Sequence, residues 1–142
     1  MDKEQFFTLH RHWMWSNVIK TDFAMEIKKQ LGGEDTPKAE IIMPDKYGAY
    51  MSIWYGLLFV VLEGLKEEKV IIPEIEDDIK HIYEPLRLYR NAVFHPQKKY
   101  WSPKLFKIME DGNSVDKIWK VHKRLGEYFL EGINKMYGQN GQ

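Results

Sequence analysis

Apolar residues along this chain recur three and four positions apart, with little of the strict alternation that a half-buried strand requires. From Asp2 to Leu31, Phe6, Leu9, Trp13, Phe23, Ile27 and Leu31 form one helical stripe, and Phe7, Met14, Val18 and Met25 form a second beside it. So wide an arc implies burial on two sides, against the rest of a bundle and against another chain. Gly32-Gly33 stops this helix, and residues 32–44 read as a loop. A second helix is expected from about Lys46 to Lys69; it is almost wholly apolar between Ile53 and Leu65, which marks it as the core helix. The third opens at Pro73 with Glu74, Glu76, Asp77 and Asp78 at the positive end of its dipole. Its stripe is Ile75, Ile79, Ile82, Leu86, Tyr89 and Val93. Pro85 takes away the bond to the carbonyl of His81 and should kink or divide this helix, and Pro96 should end it. A short helical piece near residues 104–109 precedes a last helix, with Ser114 as its N-cap. That helix runs to Tyr137 on Val115, Ile118, His122, Leu125, Phe129, Ile133 and Met136. The expected fold is all-α, an up-and-down helical bundle of four long helices plus a short helical segment. One domain would cover residues 1–138, followed by a polar tail at 139–142.

Composition narrows the chemistry. The chain has 142 residues, enough for one domain with a substantial core, and no cysteine. That excludes disulfides, thiolate metal sites and a cysteine nucleophile, and suits a reducing, cytoplasmic setting. The N-terminal MDKEQFFTLHRHW lacks the layout of a secretory signal. The longest uncharged run, Tyr47 to Leu62, contains Tyr50, Ser52, Tyr55 and two glycines, so a buried helix is expected and no membrane partner.

A net charge of zero conceals an uneven distribution. Glu63 to Glu84 holds eight acids against three lysines; Pro85 to Met109 holds no acid, against Arg87, Arg90, Lys98, Lys99, Lys104 and Lys107. Tyr89, Phe94, Tyr100, Trp101 and Phe106 are interleaved with those cations, an arrangement suited to an anionic, base-bearing partner. Within this segment Arg90, Asn91 and His95 sit together at the expected helix break. On an unbroken helix Arg90 and His95 would diverge by roughly 140°. Releasing the last turn before Pro96 lets the imidazole swing back toward the guanidinium. RNA carries its own nucleophile, the 2′-hydroxyl. A histidine can take that proton or protonate the departing 5′ oxygen, and an arginine can grip the phosphate as its charge grows. One histidine per chain serves poorly as base and acid at once, so two motifs in a dimer would answer the need. The products would be a 2′,3′-cyclic phosphate and a 5′-hydroxyl. The plainer reading is that the same residues cap carbonyls at a helix end.

Arg90-Asn91-Ala92-Val93-Phe94-His95 resembles the signature of HEPN domains: an Arg, a polar residue commonly Asn, a short spacer and a His near a helix end. About six residues carry the match, with chain length and helical architecture in support. The resemblance implies a metal-independent endoribonuclease of a prokaryotic toxin–antitoxin, phage-defence or CRISPR-linked system, using no cofactor. It would act as a homodimer, with an antitoxin or other regulator as a further partner. Arg90 and His95 would be catalytic with Asn91 in support, while Lys98, Lys99, Tyr100 and Arg87 would bind RNA. HEPN toxins paired with nucleotidyltransferase antitoxins often carry Tyr two positions after the His; here that position is Gln97, so control through such a tyrosine is not expected. The alternatives are a non-catalytic HEPN-like module that binds nucleotides, or an interaction module whose first helix takes a partner on its apolar arc.

Other candidates carry less. His10 and His12 point roughly 200° apart on a helix and so do not share a metal. His122 falls within an apolar stripe and is expected to be a hydrogen-bonded core histidine. The acids Glu74 to Asp78 are accounted for by a helix start, and Lys117, Lys120 and Arg124 by a solvated face.

Overall fold

The computed structural model describes residues 1–31, 46–96, 98, 103–110 and 112–138. Its elements are α1 (Lys3–Leu31), α2 (Lys46–Glu67), a 3-10 turn (Pro73–Ile75), α3 (Glu76–Phe94), the short α4 (Pro103–Phe106) continuing into a second 3-10 turn (Lys107–Met109), and α5 (Ser114–Tyr137). Among the described residues there is no strand, and the four long helices pack into an all-α bundle. α1 packs on α2 and α5, and α3 likewise packs on α2 and α5, so α1 and α3 are diagonal neighbours.

The centre of each expected stripe is buried, while Trp13, Ile79, Val93, Val115 and Ile133 are partly buried against it and Met136 is exposed. Phe6, Leu9, Phe23 and Ile27 of α1 are buried, as are Ile82, Leu86 and Tyr89 of α3 and Ile118, Val121, Leu125 and Phe129 of α5. α2 is long and apolar enough to cross a bilayer, yet more than half of it is buried by the other helices. Trp54, Tyr55, Leu58, Phe59 and Leu62 form the middle of the core from this helix. The second stripe of α1 is different: Met14, Val18 and Met25 remain exposed, Val18 at 59% and Met25 at 55%.

α1 is seated on glycines. A Cβ on Gly64 would lie 2.4 Å from Leu9 Cδ2, and one on Gly126 would lie 2.5 Å from Trp13 Cζ2. The missing methyls let α2 and α5 close on α1 at those points.

Two local expectations change. α3 runs through Pro85 as one helix, because the packing of Ile82, Leu86 and Tyr89 on both sides of the proline holds the segment helical. Ser114 is the first helical residue and not the N-cap; Asn113 holds that position, without a side-chain capping bond, while the Ser114 side chain is buried. Pro96 does end α3: His95 already has extended backbone, φ −123° and ψ 128°.

Candidate functional site

The end of α3 is built from the α2–α3 seam outward. Tyr89 is fully buried, meeting Tyr55 edge to face at 5.5 Å. The Ser52 hydroxyl is 2.6 Å from the Gly48 carbonyl, to which it donates. That leaves Ser52 Oγ to accept from the Tyr89 hydroxyl at 3.2 Å. Burial pushes the Tyr89 phenol up to about 12, so it keeps its proton and serves as a structural pin between the helices. Next to that pin, Phe94 crosses Gly56, where a Cβ would lie 2.6 Å from its ring.

Arg90 follows the pin directly. Its guanidinium lies over the Phe59 ring, 4.9 Å from the centroid, with the ring supplying a face that attracts the cation. Its Nε is buried and has no hydrogen-bond partner, and among the described residues no carboxylate pairs with Arg90. A guanidinium that is positioned yet unpaired is costly to keep, since buried polar groups are nearly always bonded. The terminal nitrogens of the guanidinium are not among the buried unsatisfied atoms, so any anion from outside would meet Arg90 there and not at Nε.

Asn91 is half-buried, and its carbonyl accepts the His95 backbone N–H at 3.0 Å. The last helical bond thus closes at His95, and the chain leaves the helix there with the His95 side chain exposed. Arg90 and His95 therefore share one helix end, the first leaning on α2 and the second at the exit; no hydrogen bond joins them. Lys98 is exposed beyond it. Gln97, Lys99 and Tyr100 lie outside the described residues. Arg87 is held by Glu84, its Nε 3.0 and 2.9 Å from the two carboxylate oxygens and its Nη2 also in contact, so it reaches a phosphate only by leaving that pair.

Spacing along the sequence does not reveal Phe59, the platform under Arg90. It is one apolar residue in an apolar helix, and only its place opposite Arg90 gives it a role.

The bundle contains a second polar constellation, in the core between α1, α2 and α5. His122 is 2% exposed. Trp54 Nε1–H donates to His122 Nδ1 at 3.1 Å, so the ring proton sits on Nε2, which donates to Asn17 Oδ1 at 3.0 Å. Trp13 Nε1–H donates to the His122 carbonyl at 3.0 Å. Burial, with Lys20 nearby adding to it, lowers the imidazole pKa to about 3, so His122 is neutral and its bonds are structural. Lys20 itself lies over the Trp119 ring at 4.7 Å, its pKa lowered by burial and by Lys28. His10 packs on Phe129 and Trp13, and His12 Nδ1 bonds to the Thr8 carbonyl at 2.8 Å. Among the described residues no three His, Asp or Glu side chains are grouped to hold a metal ion.

The chain matches no protein-family model, and searches of characterised proteins and of solved structures find no similar protein.

Proposed function

We propose that the end of α3 is an RNA-cleaving site and that the protein is a metal-independent endoribonuclease of the HEPN kind, of a prokaryotic toxin–antitoxin or phage-defence system. The observation that carries this reading is Arg90: stacked on Phe59, with a buried Nε that has no protein partner, one helical turn before an exposed His95. In this reading a phosphate meets the guanidinium at its terminal nitrogens, with the buried Nε and Phe59 behind it fixing the group's orientation. Arg90 binds it through two parallel N–H donors and stabilises the charge that grows during 2′-hydroxyl attack. His95 moves the proton, as base from the 2′-hydroxyl or as acid to the 5′ oxygen, and Asn91 supports it. Lys98 and Lys99 hold the strand, Tyr100 stacks a base, and Arg87 joins them once freed from Glu84.

A homodimer would supply the second histidine. In this reading the exposed stripe of α1, where the sequence implies another chain, does not bring the two histidines together. α1 lies diagonally across the bundle from α3 and turns Met14, Val18 and Met25 away from the core, so pairing through that stripe leaves the two α3 ends far apart. A shared cleft requires the copies to meet at the α3 end.

The test is cleavage of a mixed-sequence single-stranded RNA in EDTA by wild type, His95→Ala and Arg90→Gln, with an all-deoxy strand as control. The reading expects RNA to be cut to 2′,3′-cyclic phosphate ends, deoxy strand to survive, and both variants to lose at least a hundredfold in rate. Equal cutting by wild type and His95→Ala would refute it.

One observation favours a second reading, a non-catalytic interaction module. Met14, Trp15, Val18 and Met25 are all exposed on α1, four large apolar side chains that no other helix among the described residues covers. Binding of a helical partner that is lost in Val18→Lys, in a protein inert toward RNA, would favour it.

A further inference from the structure

At the other end of the α2–α3 seam, where α2 ends and α3 begins, lies a groove of about 400 Å³. Leu62, Leu65 and Ile72, all buried, form its floor; Ile79 and Tyr83 form its wall, and Ile71, 64% exposed, stands at its lip. Five charged residues line it. Glu76 is paired with Lys80 at 2.9 Å, and Glu84 is paired with Arg87. The remaining two, Lys66 and Lys69, have no carboxylate partner among the described residues; Lys66 rests its ammonium 4.3 Å above the Tyr83 ring.

Lys69 is also the single non-glycine residue with positive φ among those described, at φ 55°. It occupies the position after α2 where the chain turns left-handed: Lys69 N–H bonds to the Lys66 carbonyl at 3.1 Å, and Val70 N–H to the Leu65 carbonyl at 2.9 Å. Glycine is the usual residue there, because a Cβ is strained in that conformation. A lysine kept at such a place is an outlier of the sort that points to use of the side chain. Its stem and that of Lys66 put two unpaired ammonium groups on one edge of an apolar groove.

We infer that this groove binds a small amphipathic carboxylate, its hydrocarbon part on Leu62, Leu65, Ile72 and Ile79 and its carboxylate between Lys66 and Lys69. The volume lies in the range of small-molecule sites, and the ratio of apolar wall to few fixed charges is that of such sites. The two lining charges without an ion pair within 4 Å among the described residues are both positive, Lys66 resting on Tyr83 and within the field of Glu84; this favours an anion over an alcohol or an amine. The groove meets the proposed RNA-binding residues only through Glu84, the partner of Arg87, and its apolar floor and its two lysines are separate from the α3 end.

The experiment uses the full chain and octanoate, followed by methyl NMR at Ile72, Ile79 and Leu62. Octan-1-ol, octylamine and vesicles of phosphatidylglycerol are the comparison arms. Saturable shifts of those methyls by octanoate are expected, at least fivefold tighter than for octanol and absent for octylamine. Lys69→Gly gives the decisive arm. It should raise the thermal midpoint of the unliganded protein, since it relieves the left-handed strain, while weakening octanoate at least fivefold; Lys66→Gln should weaken it similarly without the gain in stability. Opposite signs for stability and binding at Lys69 would not arise from a purely structural lysine. The proposal is overturned if Lys69→Gly stabilises and leaves octanoate binding unchanged, if octanol binds as well as octanoate, or if vesicles bind while free octanoate does not.

Discussion

Acid should unfold this protein through His122. In the folded state the imidazole is enclosed by Trp54, Asn17 and Trp13, and its pKa falls from 6.5 to about 3. The unfolded chain returns it to its ordinary value, so below pH 6.5 the unfolded state takes up a proton that the folded state refuses. The stability held in the neutral histidine is complete above pH 6.5 and is lost progressively as pH falls toward 3. At about 1.4 kcal/mol for each pH step the whole interval is worth about 5 kcal/mol, and by pH 5 the loss is about 2 kcal/mol. That is a large share of the 5–15 kcal/mol typical of a domain. The comparison is with His122→Gln, which has no titrating group there and can still accept from Trp54 and donate to Asn17. Urea unfolding followed by tryptophan fluorescence at pH 7.5, 6 and 5 should show wild type losing about 2 kcal/mol more than the variant between the end points. His10, whose pKa is also lowered by burial, acts in the same direction but is present in both proteins and cancels. Parallel pH dependence in the two proteins, or a His122 resonance titrating near 6.5, would refute the reasoning.

Gly126→Ala should destabilise by about 1–2 kcal/mol despite alanine's better helix propensity, because its Cβ meets a Trp13 ring that is tied to the His122 carbonyl and has no room to move; chemical denaturation measures it. Phe59→Leu removes the platform under Arg90 and a little core volume. It should cost about 1 kcal/mol in stability and, if the α3 end cleaves RNA, raise KM or lower kcat well beyond what that loss of stability explains. Tyr89→Phe, which deletes the pin to Ser52, should cost about 1 kcal/mol in thermal or urea unfolding. Val18→Lys on the outer face of α1 should leave stability within about 0.5 kcal/mol and, if the α3 end cleaves RNA, leave that cleavage unchanged, because that face is diagonal to α3; a large loss of cleavage would mean that the copies pair through α1.

The helices were legible because each carries its apolar residues at one spacing over many turns, and burial in the bundle follows that stripe. Pro96 as the stop of α3 was legible for a local reason, the steric restriction on the residue before a proline. Pro85 does not divide α3, for the complementary reason: its local penalty is real, but the buried residues flanking it keep the segment in one helix, and sequence spacing does not weigh one against the other. At the candidate site, the motif residues themselves could be read, whereas Phe59 beneath Arg90 and Glu84 on Arg87 depend on which helix face meets which. The same holds for the neutral state of His122, whose stripe position implies burial but not the partners Trp54 and Asn17 that fix its proton.

The placement of these groups also separates the densest part of the core from the proposed site. The dense aromatic and hydrogen-bonded part of the core, Trp13, Trp54, Trp119 and His122, lies where α1, α2 and α5 meet. Arg90 and His95 lie at the far end of α3 and contribute none of those contacts. Removing His95 takes away an exposed side chain, and removing Arg90 takes away a buried Nε that the protein leaves unsatisfied. Substitution of an unsatisfied polar group need not cost stability, and sites that trade stability for function behave in this way. Arg90→Gln gives up the contact with Phe59 but also removes the unsatisfied Nε, so it should shift urea unfolding by no more than about 1 kcal/mol. A much larger loss would make Arg90 a residue of the fold and would take away the observation on which the proposed site rests.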